Sequence, residues 1–266
     1  MLTQPRRSEL SAGLRLWRQR RRVSQLELAV RAGTTQRHVS FIESGRSLPG
    51  RDMVIRLAES LQLSLRDRNA LLLAGGFAPA YDEAPYDDPG LGAIRAALRS
   101  IVEGHRPYPA VVVNRRGELV LTNRSFDALT ADVAPYLREV PINGPRLLLH
   151  PDGLAPRILN FDEWSWHVID ALTREAALNP DPGADALIEE LTALVPPRPP
   201  TGPDHLGFAV PLRLRSEYGE LRLITTLTRF GTAIDVTVSE LRMEAFLPAD
   251  EPTAKALRSL DPGGSG

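Results

Sequence analysis

The sequence has no cysteine, so disulfide bonds, thiolate zinc sites and cysteine nucleophiles are excluded. Lys255 is the only lysine among 32 basic residues and follows the last predicted strand, which argues against a Ser–Lys catalytic dyad. Apolar runs stay well below the roughly 20 residues that span a bilayer. The polar segment 1–9 does not resemble a signal peptide. We therefore expect a cytoplasmic protein.

Motifs that are typical of enzymes and of metal sites are missing too. The chain has no Gly-x-Ser-x-Gly elbow, no P-loop and no Rossmann fingerprint. Its five histidines are scattered, and none pairs with another at metal-ligand spacing. Glu163 and His167 lie four residues apart on a predicted helix, where a surface hydrogen bond is commoner than a metal site. We predict no catalysis, no cofactor and no metal.

Charge is distributed unevenly along the chain. Residues 1–80 hold 14 arginines and 6 acidic residues, a net charge of +8, whereas residues 81–266 hold 18 basic and 27 acidic residues, a net charge of −9. A basic segment beside an acidic one is typical of a DNA-binding module joined to a different domain. The predicted divisions are a DNA-binding domain at 1–77, a linker at 78–90, a second domain at 91–248 and a flexible tail at 249–266.

Residues 24–45 predict two short helices joined by a tight turn, the arrangement that places a second helix in the DNA major groove. Ser24 and Glu27 form a capping box at the start of the first helix. Gly33 suits the left-handed residue that ends a helix. Thr34 is predicted to cap the second helix.

The second of these helices presents polar side chains outward. Val39 and Ile42 are three residues apart and are predicted to point inward, whereas Phe41 faces outward with the polar residues. Gln36 can pair with adenine, and Arg37 can pair with guanine. The predicted DNA-contacting residues are Arg22, Gln25, Thr34, Thr35, Gln36, Arg37, His38, Ser40 and Arg46.

An ordered set of residues within this region points to one class of DNA-binding domain. The set comprises Gln25, Leu28-Ala29, Gly33, Thr34-Thr35-Gln36, Val39-Ser40-x-Ile42-Glu43-x-Gly45-Arg46 and Pro49. It resembles the Cro/C1-type helix-turn-helix domain of phage repressors and of XRE-family bacterial regulators, over roughly residues 9–75. The resemblance implies five helices around one small core and binding to operator DNA.

The second half of the chain alternates between predicted helices and strands. Helices are predicted at 91–103, 124–131, 162–178 and 184–194, and strands within 107–123 and at 208–214, 220–229 and 232–241. This order predicts an antiparallel sheet with helices against one face. The predicted fold class is therefore α+β, with an all-α N-terminal domain.

Two motifs in this half resemble a sensor family. They are Pro109-Ala-Val-Val-Val-x-Arg-x-Gly-Glu-Leu-Val-x-x-Asn123-Arg124 and Asn160-Phe-x-x-Trp164. Together they resemble the PAS-like ligand-binding domain of MmyB-like regulators, over about residues 92–247. The resemblance implies a domain that binds a small molecule.

A sensor domain of this kind needs a mostly apolar cavity with a few polar anchors. Leu221, Leu223, Thr225 and Leu227 share one face of a predicted strand that could line such a cavity. Of Trp164 and Trp166, one is expected in the core and the other at the cavity. The predicted ligand-contacting residues are Asn123, Phe126, Tyr136, Trp164, His167 and Phe208, with Arg157 as a further polar anchor.

These observations predict a two-domain transcriptional regulator, most simply a repressor, that joins the nucleoid when bound to DNA. Its partners would be double-stranded operator DNA, a small apolar ligand that is fatty-acid-like or aromatic, and a second copy of the chain, with no membrane. Two alternatives stay open: an antitoxin-like repressor whose second domain binds a protein, and an enzyme with an appended DNA-binding domain. A cavity would argue against the first, and a dense cluster of ionisable residues in it would favour the second.

Overall fold

A computed structural model describes residues 4–200, 210–230 and 233–261. The chain divides into two compact units. The first contains the residues up to 86 together with the segment 233–239, and the second contains the rest. This division differs from the linear order of domains expected from the sequence. The segment 233–239 lies in the first unit although the chain on either side of it lies in the second.

Five helices build the N-terminal part of the first unit. They are α1 (Gln4–Arg20), α2 (Gln25–Arg31), α3 (Gln36–Glu43), α4 (Arg51–Ser60) and α5 (Leu65–Ala74). Leu28, Val39 and Ile42 are fully buried in their common core, so the inward direction predicted for Val39 and Ile42 is confirmed. Of the predicted capping box of α2, the Ser24 half is confirmed, because the Ser24 hydroxyl accepts the backbone N–H of Glu27 at 3.0 Å. The Glu27 carboxylate pairs with Arg31 instead.

The cap of α3 is Thr35, which corrects the predicted cap at Thr34. The Thr35 hydroxyl accepts the backbone N–H of His38 at 3.1 Å. Thr34 still belongs to the end of α2, because its own N–H donates to the carbonyl of Ala29 at 2.9 Å. The Thr34 hydroxyl instead lies 2.9 Å from Nδ1 of His38. Because Thr34 takes part in the end of α2, α3 begins one residue later than predicted, with Thr35 as its cap.

The second unit contains a five-stranded antiparallel sheet. Its strands are β1 (Ala110–Val113), β2 (Leu119–Thr122), β3 (Leu212–Ser216), β4 (Gly219–Arg229) and β5 (Arg242–Pro248). Their order across the sheet is β2-β1-β5-β4-β3. Val112 of β1 is opposite Leu121 on one side and Met243 on the other. The predicted α+β class is confirmed.

Helices accompany this sheet along the chain. They are α6 (Gly92–Glu103), α7 (Arg124–Leu129), α8 (Gly144–Leu149), α9 (Phe161–Leu178) and α10 (Pro182–Leu194). Leu191 of α10 and Trp164 of α9 are buried in the same core as Leu221 and Leu223 of β4. No helix among the described residues is long and apolar enough to cross a membrane.

The predicted strand at 232–241 is wrong for the described part of that range. The chain instead forms the short helix α11 (Val236–Ser239) and then enters β5. Asp235 begins the helical turn because its carboxylate accepts the backbone N–H of Val238 at 3.1 Å. This local cap overrides the strand preference of the β-branched residues. Thr232 lies outside the described residues.

The predicted flexible tail is wrong for residues 250–261. They form the helix α12 (Glu251–Leu260), which Asp250 caps by accepting the backbone N–H of Thr253 at 2.9 Å. Thr253 and Leu257 are buried within the second unit, and Leu257 belongs to its hydrophobic core. The last five residues, 262–266, lie outside the described residues.

Asn69 of α5 ties the segment after that helix to the first unit. Its side-chain N–H donates to the carbonyl of Tyr81 at 2.7 Å, and its side-chain oxygen accepts the N–H groups of Ala80 and Tyr81. Further along, the N–H of Ala84 donates to the carboxylate of Asp235 at 3.0 Å. These bonds explain why the chain before residue 86 and the segment around α11 belong to one compact unit.

Candidate DNA-binding surface and ligand pocket

The predicted DNA-contacting residues gather mainly on the exposed face of α3. Thr35, Gln36 and Arg37 are exposed at the start of the helix, and His38 and Ser40 are half-buried beside them. Thr34 is half-buried just before the helix, and Arg46 is exposed just after it. The first turn of α3 therefore offers amide, guanidinium and hydroxyl groups together, which are the groups that read base edges in a groove.

Two of these arginines keep their guanidinium groups available for an outside partner. Arg37 lies over the ring of Phe41 at 5.1 Å, and Arg46 lies over the same ring at 5.9 Å. Neither side chain has an ion pair or a hydrogen bond within the described part of the chain. Within the described residues, no acidic side chain accepts a hydrogen bond from either guanidinium.

Gln25 occupies a different setting, because it belongs to an internal polar network. Arg18 donates two hydrogen bonds to Glu43, at 2.6 and 2.9 Å, and the Gln25 amide donates to the same carboxylate at 2.8 Å. The Glu43 side chain is 4% exposed. Hydrogen bonding to Glu43 raises the pKa of Arg18 above its ordinary value. The role of Gln25 as a phosphate contact stays a prediction.

Arg22 is exposed two residues after the end of α1 and adopts a left-handed backbone conformation with φ of 54°. The next residue, Val23, donates its N–H to the carbonyl of Arg18 at 3.1 Å, which closes the helix. This hydrogen bond fixes the backbone at Arg22, so the Arg22 side chain extends from a defined position beside the end of α1. Its predicted contact with DNA phosphate is untested.

The second unit contains an apolar pocket with a volume of about 260 Å³. Its walls come from β1, β4, β5 and α9, and its apolar lining includes Val111, Val113, Phe126, Trp164, Leu172 and Phe246. Thr225 and Leu227 of β4 also face it, continuing the strand face that begins with the buried Leu221 and Leu223. The sequence-predicted face of β4 therefore turns towards this pocket.

Charged groups line one part of the pocket as two ion pairs. Arg229 lies 2.7 Å from Glu175, and Arg242 lies 3.1 Å from Glu244. Burial would raise the pKa of Glu175, but a hydrogen bond from Asn179 and the charge of Arg229 outweigh it and lower that pKa. The pocket therefore combines an apolar interior with compensated charges.

A second, more polar cavity of about 340 Å³ shares Leu172, Glu175 and Arg242 with this pocket. Arg115 and Arg116 line it, but both lie within ion-pair distance of Asp181, at 2.8 and 3.5 Å. Across the described residues, no three histidine or carboxylate side chains are grouped as a metal site would require.

Three predicted ligand-contacting residues, Phe126, Trp164 and His167, line the apolar pocket. Asn123 does not line it. Its side-chain oxygen accepts N–H groups from Ala110 and Phe126, and its amide donates to two backbone carbonyls. Asn123 is thus fully occupied in joining α7 to the sheet, and this corrects its predicted role as a ligand anchor.

Tyr136 and Arg157, which were also predicted to contact ligand, do not line the pocket. Tyr136 is 51% exposed and donates to Asp152 at 2.6 Å, which raises the pKa of Tyr136. Arg157 donates to backbone carbonyls of Leu129 and Arg215. Phe208 lies outside the described residues. The residues that β5 contributes to the pocket are not predicted from the sequence, because the strand pattern places the last strand before position 242.

The expected division of the two tryptophans of α9 between core and pocket is wrong, because Trp164 lies in both places and Trp166 does not line the pocket. Trp164 is 3% exposed and lines the pocket. Trp166 donates its indole N–H to the carbonyl of Pro196 at 2.9 Å, and Arg198 lies over its ring at 4.4 Å. Trp166 therefore anchors the segment that follows α10.

Comparison with known protein families gives two matches. A family model described as Helix-turn-helix matches residues 14–67. A family model described as MmyB-like transcription regulator ligand binding domain matches residues 94–260. No curated protein matches the chain significantly.

Proposed function

The chain belongs to the family of MmyB-like transcription regulators with an N-terminal helix-turn-helix, and from this premise we propose that it is a ligand-responsive repressor. Its general role as a DNA-binding transcription regulator follows from the two matched domains. The base-reading residues, the class of ligand, the dimeric state and the repressing effect are our proposals.

We propose that α3 reads base edges in the major groove through Gln36 and Arg37. The observation that carries this proposal is the exposed guanidinium of Arg37, which has no acidic partner among the described residues. A guanidinium can donate two parallel hydrogen bonds to guanine. Arg22, at the end of α1, is proposed to contact phosphate, which contributes affinity without sequence preference.

Arg37→Ala and Arg22→Ala are expected to have different effects on DNA binding. The first should weaken binding to a duplex selected by the wild-type protein by about 5- to 150-fold and relax the preference at one base pair. The second should weaken binding to selected and random duplexes alike and reduce the salt dependence. Titrations of both duplexes at several salt concentrations measure both effects. Equal losses for Arg37→Ala on the two duplexes would refute its role in base reading.

We propose that the apolar pocket binds a small, largely apolar molecule, either fatty-acid-like or aromatic. The supporting observations are its volume of about 260 Å³ and its lining by Phe126, Trp164 and Phe246. Five ionisable side chains line the pocket, which is the feature that would favour the enzyme alternative, but four of them are paired with one another as ion pairs. This pairing supports binding over acid–base catalysis. A preformed apolar pocket weighs against the antitoxin alternative.

Ligand binding is expected to raise the stability of the second unit by about 2.7 kcal/mol at a hundredfold excess over Kd. A thermal-shift panel of saturated fatty acids and aromatic acids measures it. Thr225→Trp, which places an indole in the pocket, should abolish the shift. Thr226→Trp is the matched control, because adjacent residues of a strand face opposite sides. No shift with any compound, or an equal loss in both variants, would contradict the proposal.

We also propose that the chain binds DNA as a homodimer. One recognition helix covers about one half-site, and specific binding by such domains needs two half-sites about one helical turn apart. A ligand that favours one dimer geometry would then change the spacing of the two helices and so the affinity for the operator.

A further inference from the structure

Phe41 has an unusual setting for a phenylalanine in a small helical unit. It is half-buried on α3, yet it is neither in the hydrophobic core of the first unit nor among the apolar side chains packed against that core in the described residues. Its ring instead contacts the guanidinium groups of Arg37 and Arg46. The side chain therefore contacts the two cations on the proposed DNA-binding surface.

The backbone brings these three residues together. Arg37 and Phe41 are four residues apart on α3, so their side chains share one face of the helix. Gly45, with φ of 71°, turns the chain directly after the helix. The N–H of Arg46 then donates to the carbonyl of Phe41 at 2.8 Å. Arg46 is thereby held beside the same ring.

We propose that Phe41 is a positioning residue for DNA recognition, holding the guanidinium groups of both Arg37 and Arg46 against its ring. This proposal rests on the proposed DNA-binding role of α3. An aromatic face attracts a guanidinium while leaving its N–H donors available. An acidic partner would instead occupy those donors, as Glu43 occupies the donors of Arg18.

This arrangement has two consequences for binding. A guanidinium that is already oriented loses less conformational freedom when it binds, which increases affinity. Two parallel hydrogen bonds to guanine require a defined plane for the guanidinium, so orientation also favours the correct base. The ring is therefore expected to affect specific binding more than binding to random sequence.

The test compares Phe41→Leu with Phe41→Tyr in the full-length protein. Leucine keeps an apolar side chain but removes the aromatic face, whereas tyrosine keeps the face. We expect Phe41→Leu to weaken binding to the wild-type-selected duplex by about 2- to 30-fold, with a smaller effect on random duplex. Phe41→Tyr should stay within about twofold of wild type on both.

A double-mutant cycle shows whether Phe41 acts through Arg37. In the Arg37→Ala background, Phe41→Leu should cost clearly less than it does in the wild-type background, because one of its two guanidinium partners is gone. The midpoint temperature of thermal unfolding of each variant separates this role from a purely structural one. We expect the midpoint of Phe41→Leu to lie within about a degree or two of the wild-type value.

Several results would overturn the proposal. They are wild-type affinity for Phe41→Leu, loss of binding in Phe41→Tyr as well, additive effects in the cycle, and a loss of binding that parallels a fall in thermal stability. Failure of the proposed DNA-binding role of α3 can be told apart from failure of the Phe41 proposal, because in the first case the wild-type protein would select no duplex at all.

Discussion

Glu43→Ala is expected to lower the free energy of unfolding of the first unit by about 3 kcal/mol. The Glu43 carboxylate is 4% exposed and accepts three hydrogen bonds, two from Arg18 and one from Gln25. Removing it leaves the Arg18 guanidinium, only 14% exposed, without a counter-charge. An unpaired charge in such a position is far more costly than a lost pair at the surface.

Glu27→Ala is the matched control for this prediction. Glu27 also pairs with an arginine of the same unit, Arg31, but both side chains are more than 40% exposed. Its loss should change the stability by less than about 0.5 kcal/mol. Amide hydrogen exchange in α1–α5 reports the first unit separately from the second. Similar losses of protection from exchange in Glu43→Ala and Glu27→Ala would contradict the claim that the buried pair of Glu43 stabilises the first unit more than the exposed pair of Glu27.

Asp261→Asn is expected to destabilise the second unit by about 2 kcal/mol at neutral pH. Asp261 follows α12, its side chain is 1% exposed, and it accepts hydrogen bonds from Arg106 at 2.6 Å and from Ser125 at 2.7 Å. These bonds, the first above all, lower the pKa of Asp261 from its ordinary value of 3.8 to about 2. The charged form therefore stabilises the folded state.

The pH dependence of this effect has a definite sign. Because the folded-state pKa is lowered, the stabilising contribution is fully present above about pH 4 and disappears as the pH falls towards 2. The difference in unfolding free energy between wild type and Asp261→Asn should shrink over that window. Hydrogen exchange of the α12 and β4 amides at several pH values measures it.

Asp170→Asn provides the control for Asp261. Asp170 also accepts two hydrogen bonds from one arginine, Arg198, but its side chain is 38% exposed. Solvent screening should limit its effect to less than about 0.5 kcal/mol. A pH-independent difference for Asp261→Asn, or an equal effect at both positions, would show that the burial of Asp261 does not matter.

The helices of the first unit could be predicted because their signals are local. Ser24 and Gly33 mark helix ends, and the spacing of Val39 and Ile42 marks the buried face. The network around Glu43 joins residues 25 positions apart, and no local pattern indicates it. The predicted cap at Thr34 is wrong because the backbone N–H of Thr34 bonds to the end of α2, which leaves Thr35 to cap α3.

The second unit was harder to predict because its site depends on strand register. The run from Ile234 to Val238 has strand-like composition, but Asp235 caps a helical turn and moves the last strand to β5. Every residue that β5 contributes to the pocket was therefore missed, including Arg242. Asn123 looked like a polar anchor, but its side chain is used to hold backbone groups of neighbouring elements.

The most direct test of the proposed regulator is selection of bound duplexes from a randomised DNA pool by the full-length protein. We expect enrichment of one motif made of two related half-sites whose centres lie about one helical turn, or about 10 base pairs, apart. We also expect Arg37→Ala to lose the preference at one position of each half-site. Recovery of unenriched sequence by the wild-type protein would contradict sequence-specific recognition by α3.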